Sequence, residues 1–70
     1  MNNLDLHGIR HSEVDLLVEN FILMNQGEFP LEIICGNSEK MIKLVHVVTD
    51  RLGLETHMYR YGIVTVRRWV

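Results

Sequence analysis

Asp5 and His7 stand two residues apart within Leu4-Asp5-Leu6-His7-Gly8. Imidazole is the side chain that exchanges protons near neutral pH, so His7 is a candidate general base or acid. A carboxylate beside it can orient the ring or contribute to a metal site. Read as a strand, the stretch alternates, with Leu4 and Leu6 on one face and Asp5 and His7 on the other. The apolar pair can enter a core while the acid and the imidazole stand outside it. Gly8 lets the chain turn tightly, and a helix signal follows. The plainer reading makes Asp5 a solvent-facing strand residue and has His7 bonding a backbone carbonyl in the turn. Taken alone, an Asp-x-His spacing favours that plainer reading.

A second stretch, Gly36-Asn37-Ser38 with Lys40, has its own chemistry. Glycine reaches backbone angles closed to other residues and leaves room for close approach. A helix starting after Ser38 presents unpaired N–H groups and the positive end of its dipole. That combination suits a phosphate or a carboxylate, and Lys40 in the first turn adds charge. The alternative is a tight turn at Gly36 and a simple helix cap at Ser38, which carries more weight while this stretch is taken alone.

The elements that must position these residues follow from periodicity. Leu4 to Gly8 reads as a short strand and Ile9-Arg10-His11 as a loop. Ser12 is the expected N-cap of the first helix, with Asp15 completing a box-like pair. Val14, Leu17, Val18, Phe21 and Ile22 recur at helical spacing and define its apolar face. Its end is expected near Asn25-Gln26, with Gly27 as the stop. Leu31 to Cys35 is nearly all apolar, as in a central strand with parallel neighbours. Met41, Leu44, Val45, Val48 and Leu52 form the stripe of a second helix capped by Ser38 or Asn37 and ended by Gly53. Leu54 to Tyr59 and Ile63 to Val70 read as two strands joined near Arg60-Tyr61-Gly62. In the last strand Val64, Val66 and Val70 share one face, and Ile63, Thr65, Arg67 and Trp69 the other.

The expected fold is therefore α+β, a two-layer sandwich of order βαβαββ. Both helices cover one face of a four-stranded mixed sheet, and the other face is left open. Residues 1–70 form a single domain. Loops leaving the carboxyl ends of parallel strands share an edge, so three distant segments should converge there. They are Asp5, His7, Gly8, Arg10 and His11; Gly36, Asn37, Ser38 and Lys40; and Arg60 at the hairpin tip.

Composition sets limits. The net charge is −2 with histidines neutral, which argues against a chain-wide electrostatic grip on nucleic acid but leaves room for a local basic patch. No run is long enough to span a bilayer, and no signal peptide is visible. Cys35 is the only cysteine, so no internal disulfide forms and a reducing, cytoplasmic setting fits best. Cys35 itself reads as a small buried strand residue rather than a nucleophile. Asp5 and His7 alone make no convincing metal cluster; a divalent cofactor such as magnesium or manganese is left open.

Taken together, the motifs resemble the small MutS-related (Smr) domain. Leu4-Asp5-Leu6-His7-Gly8 matches that family's Leu-Asp-x-His-Gly start, followed by a helix beginning His11-Ser12-Glu13. Pro30-Leu31-Glu32-Ile33-Ile34-Cys35-Gly36 matches the strand leading into its Thr-Gly-x-Gly turn, and Tyr61-Gly62-Ile63-Val64-Thr65-Val66 its last strand. The resemblance covers nearly the whole chain, as a stand-alone version of the domain. Two departures lie in the second motif. Cys35 stands where the family has Thr and Ser38 where it has a second Gly, giving Cys-Gly-Asn-Ser and an expectation of weaker or retuned binding at that turn. Asn tolerates unusual backbone angles and Ser caps a helix well.

The resemblance implies a fold like the C-terminal domain of bacterial translation initiation factor three. It also implies nucleic-acid binding and, in many members, endonuclease activity on DNA or RNA. Carried over, Asp5 and His7 are the catalytic positions and Gly36 with its neighbours the binding turn. The rival readings are a non-catalytic nucleic-acid-binding module and a protein-interaction domain, acting as a monomer or a weak homodimer through the open sheet face.

Overall fold

The computed structural model describes residues 2–70. The order is β1 (Asn3–Asp5), α1 (His11–Met24), β2 (Leu31–Ile34), α2 (Glu39–Leu52), β3 (Leu54–Arg60) and β4 (Ile63–Trp69), with a 3₁₀ turn at Gln26–Glu28 after α1. The four strands form one mixed sheet in the order β1-β2-β4-β3. β1 pairs parallel with β2, and β4 is antiparallel to both β2 and β3. β3 thus runs in the direction of β2 without touching it, and β4 folds back into the space between them.

The period-2 and period-3.6 patterns supply one core. Leu6, Leu31, Ile33, Leu54, Val64 and Val66 are buried on the helix-covered face of the sheet. Val14, Val18 and Ile22 of α1 and Met41, Ile42, Val45 and Val48 of α2 close over them. Ile42 lies outside the stripe read from sequence, yet it is buried beside Met41. Thr49 is also fully buried; its hydroxyl donates to the His46 carbonyl at 3.2 Å, which makes burial tolerable. Between the helices, Arg51 in the last turn of α2 donates to Asp15 and Glu19 of α1 at 2.8 Å each.

Three local expectations are corrected. α1 starts at His11, one residue before the expected cap, with extended Arg10 in the N-cap position and no side-chain capping bond. The Asp15 carboxylate that was to complete a box is held by Arg51 instead. Gly27 does not stop α1; Asn25 takes the C-cap, and its side-chain amide donates to the Phe21 carbonyl at 2.7 Å. β2 has a parallel neighbour on only one side, because β4 lies antiparallel on the other.

Two irregularities in the β3–β4 ladder redirect side chains. Thr56 opposes Val66 while Glu55 opposes Arg68, so Arg67 and Arg68 together face Glu55. Both arginines approach its carboxylate, at 3.9 and 2.8 Å. The extra residue resets the alternation, and Trp69 comes opposite buried Leu54, edge-on to Phe29 at 6.0 Å between ring centres. Trp69 therefore belongs with the core side, not with Ile63 and Thr65 on the open face. The second irregularity lies between His57 and Arg60, where β3 carries one residue more than β4. Met58 packs on the core, while the rings of His57 and Tyr59 meet at 4.2 Å.

The hairpin tip is tied to the end of β2 by backbone. The Cys35 N–H donates to the Gly62 carbonyl at 2.6 Å. Gly62 has φ +91°, and a Cβ there would lie 2.5 Å from the Gly36 carbonyl oxygen. Gly36, at φ +70°, has open space where its Cβ would be.

Gly62→Ala should therefore cost about 2–4 kcal/mol, backbone strain plus a backbone clash, whereas Gly36→Ala should cost about 1–2 kcal/mol from strain alone. Urea unfolding of the two variants checks the ranking. A pH dependence follows from the helix clamp. The Arg51 hydrogen bond holds the Asp15 carboxyl below its ordinary value of 3.8. The unfolded chain then binds a proton more readily than the folded one, so this contribution is intact above pH 3.8 and lost as pH falls below it. Acid unfolding followed by circular dichroism should be shallower in Asp15→Asn than in the wild type.

Candidate functional site

The carboxyl ends of β1 and β2 and the β3–β4 tip lie along one edge of the sheet. Asp5 is in register with Ile34, Ile34 with Ile63, and Ile63 with Arg60, which makes a row across all four strands. The Leu6 N–H continues the β1–β2 pairing to the Ile34 carbonyl at 2.9 Å. The loop after β1 carries His7, Gly8 and Arg10, and α1 opens with His11. Gly36, Asn37 and Ser38 follow β2, and Lys40 lies in the first turn of α2. All three expected segments reach this edge.

The edge is a line rather than a point. With strands spaced by roughly 4.8 Å, the backbones of Asp5 and Arg60 are separated by three spacings, about 14 Å. Arg60 thus shares the edge with His7 without being its immediate neighbour. His7, Gly8, Arg10, His11, Gly36, Asn37, Lys40 and Arg60 are all exposed. Among the described residues no enclosed pocket forms along it.

β1 runs Asn3–Asp5 rather than Leu4 to Gly8, so His7 lies in the turn after the strand and its relation to Asp5 differs from the expected one. Asp5 Oδ1 accepts the backbone N–H of His7 at 2.9 Å, and no bond joins the carboxylate to the His7 ring. Asp5 therefore shapes the turn into Gly8, which has φ +78°. The His7 ring stands exposed beside it. The two helix starts also differ. Ser38 Oγ accepts the Met41 N–H at 3.1 Å, so α2 is capped, and Gly36 supplies the tight turn before it. α1 begins without a side-chain cap, and its residues Arg10 and His11 face solvent.

Charge pairing separates the edge from the rest of the surface. The chain has seven lysines and arginines. Lys43 pairs with Glu39, Arg51 with Asp15 and Glu19, and Arg67 and Arg68 with Glu55. Among the described residues Arg10, Lys40 and Arg60 have no carboxylate within 4.0 Å. Those three belong to the three loops of the edge. The same edge also carries the carboxylates of Asp5, of Glu13 in the first turn of α1 and of Glu39 in the first turn of α2, so its charge is mixed and its three cations are unpaired rather than alone.

No group of three or more His, Cys, Asp or Glu side chains among the described residues is placed to hold a metal ion. Asp5 and His7 do not form such a set by themselves. Cys35 is buried at the end of β2, and burial pushes its thiol up to about 11. A thiol so shifted is protonated at neutral pH and a poor nucleophile. The contact of Gly62 with Gly36 was not singled out by sequence reasoning, which brought the hairpin tip to this edge without specifying what holds it. The only available signal was a glycine at the end of a turn.

Comparison with family models, with curated proteins and with solved structures finds no match to this chain. Among the described residues no helix is long and apolar enough to cross a membrane.

The native protein should react with a thiol reagent such as Ellman's reagent at least about tenfold more slowly than the urea-unfolded chain at the same pH, since Cys35 is both buried and protonated. Equal rates would show that the end of β2 opens readily.

Proposed function

We propose that this chain is an Smr-like nucleic-acid-binding domain that cleaves phosphodiester bonds at the edge built from the loops after β1 and β2. The observation that carries the reading is the coincidence of two features. The loops bearing the Asp5-His7 and Gly36-Asn37-Ser38 motifs converge, and the three cations without carboxylate partners lie on the same edge. The two motifs and the βαβαββ order support the Smr assignment.

In the proposed reaction a phosphodiester lies near Gly36 and the start of α2. His7 takes the proton of the attacking water, or of the 2′-hydroxyl on RNA, as that oxygen bonds to phosphorus, or supplies a proton to the leaving oxygen as its P–O bond breaks. Arg10 and Lys40 offset charge that grows on the phosphoryl oxygens. Arg60, about 14 Å along the edge by strand spacing, meets a neighbouring phosphate. Asp5 holds the turn that presents His7, through the hydrogen bond to the His7 backbone N–H.

A second reading, a nucleic-acid-binding module without catalysis, is favoured by that same hydrogen bond. It leaves the His7 ring without a carboxylate partner, on an edge with no enclosing pocket.

Cleavage separates the two. Labelled RNA, single-stranded DNA and supercoiled plasmid are incubated with wild type and His7→Ala, with magnesium, manganese or chelator. The expected outcome is cleavage by wild type and a loss of at least about 100-fold in His7→Ala, the usual scale of a general base, with an unchanged circular dichroism spectrum because His7 is exposed. Cleavage undiminished in the variant would remove His7 from the chemistry. Binding without cleavage in every lane would establish the second reading.

A further inference from the structure

The hairpin tip carries a feature that phosphate contacts alone do not use. Tyr59 and Tyr61 flank Arg60, and each tyrosine is 63% exposed. Large aromatic side chains at that level of exposure bury little of their apolar surface within the fold. Tyr59 is nevertheless held in place. Its ring lies beside that of His57, two residues away on the same strand, with centres 4.2 Å apart and planes inclined at 50°. The tip is anchored by the Cys35–Gly62 backbone bond and by the close approach of Gly62 to Gly36. Two exposed phenol rings and an unpaired guanidinium therefore stand on a rigid support.

We infer that this Tyr59-Arg60-Tyr61 tip is a base-stacking platform, and that the edge selects single-stranded nucleic acid over duplex. In a duplex the bases are stacked on one another and present only their edges. In a single strand their faces are free to stack on aromatic rings, while cations track the backbone. The layout fits a strand laid along the edge. From β1 to β3 the line is about 14 Å long, the span of two to three nucleotides, and Arg10, Lys40 and Arg60 are spread along it. The occupant is negatively charged and carries exposed planar rings, which matches an unpaired nucleic-acid strand. This inference rests on the edge being the nucleic-acid surface of the preceding proposal.

The test is fluorescence anisotropy with labelled ten-nucleotide oligo(dT) and oligo(U), and with a G·C-rich DNA hairpin that stays paired throughout, over a range of salt concentrations. The proteins are wild type, Tyr59→Ala, Tyr61→Ala, Tyr59→Phe, Tyr61→Phe and Arg60→Ala. The expected result is single-strand binding at least about tenfold tighter than duplex binding. Each Tyr→Ala change should weaken it about fivefold or more with an unchanged salt slope, and each Tyr→Phe change should keep it. Arg60→Ala should reduce the slope of log affinity against log salt by about 0.7. Duplex binding as tight as single-strand binding would overturn the platform. So would tyrosine variants that bind like wild type while Arg60→Ala still weakens binding; in either case the phosphate-binding edge would stand. Absence of binding to every probe would overturn both proposals.

Discussion

The pairing of β4 with β2, closed at the hairpin tip by a backbone contact, is the constraint on which the three-loop edge depends. The Cys35 N–H reaches the Gly62 carbonyl, and Gly62 approaches the Gly36 carbonyl more closely than any side chain would allow. β4 pairs with β2 as far as Ile34–Ile63, and this contact carries the ladder one residue further into the tip. Here the tip is fastened to the strand whose next residues turn into α2. The loops after β1 and β2 are already joined by the parallel pairing of those strands. The β2–β4 pairing adds the third segment, with Arg60 and both exposed tyrosines, and the tip contact closes it.

The charge layout has a related logic. A small acidic domain cannot attract a polyanion through its overall field, but neutralisation need not be uniform. Four of the seven cations are held by carboxylates, on the outer side of the helix pair, at the far end of the β3–β4 ladder and within α2. Pairing of exposed charges contributes little to stability. The three cations left without a carboxylate partner are those of the loop edge, where Asp5, Glu13 and Glu39 lie as well. Arg51 illustrates the division. It sits in the last turn of α2, where a cation suits the helix dipole, and it ties α2 to α1 instead of facing solvent alone.

The β-bulges do the local aiming. Each places two consecutive residues against one, and the strand's alternation resumes one step out of phase. At one end this brings Trp69 back toward the core and leaves Arg67 and Arg68 sharing Glu55. Near the tip the second shift brings Arg60, rather than Tyr59, opposite Ile63. A strictly regular ladder would have given the open face a different set of side chains.

Element order, the helix-covered sheet and most of the core were legible in the sequence, because they follow from hydrophobic period: Val14, Val18, Ile22, Val45, Val48, Leu31, Ile33, Val64 and Val66 each sit on the face their spacing dictates. The arrival of the three loops at one edge was legible too, since it follows from strand direction, whereas their spacing along that edge was not. Several features were not. α1 starts one residue early with no side-chain cap, and Asp15 is bonded to Arg51, 36 residues away, rather than to its own helix start. The placement of Trp69 turned on a bulge that no residue type announces. The role of Asp5 turned on whether its carboxylate met the His7 ring or the His7 backbone. Periodicity is a property of neighbours along the chain, and one sequence carries it in full. Pairing partners, bulge positions and the Gly62–Gly36 contact are set by what distant segments do to one another in space, and only the folded structure decides them.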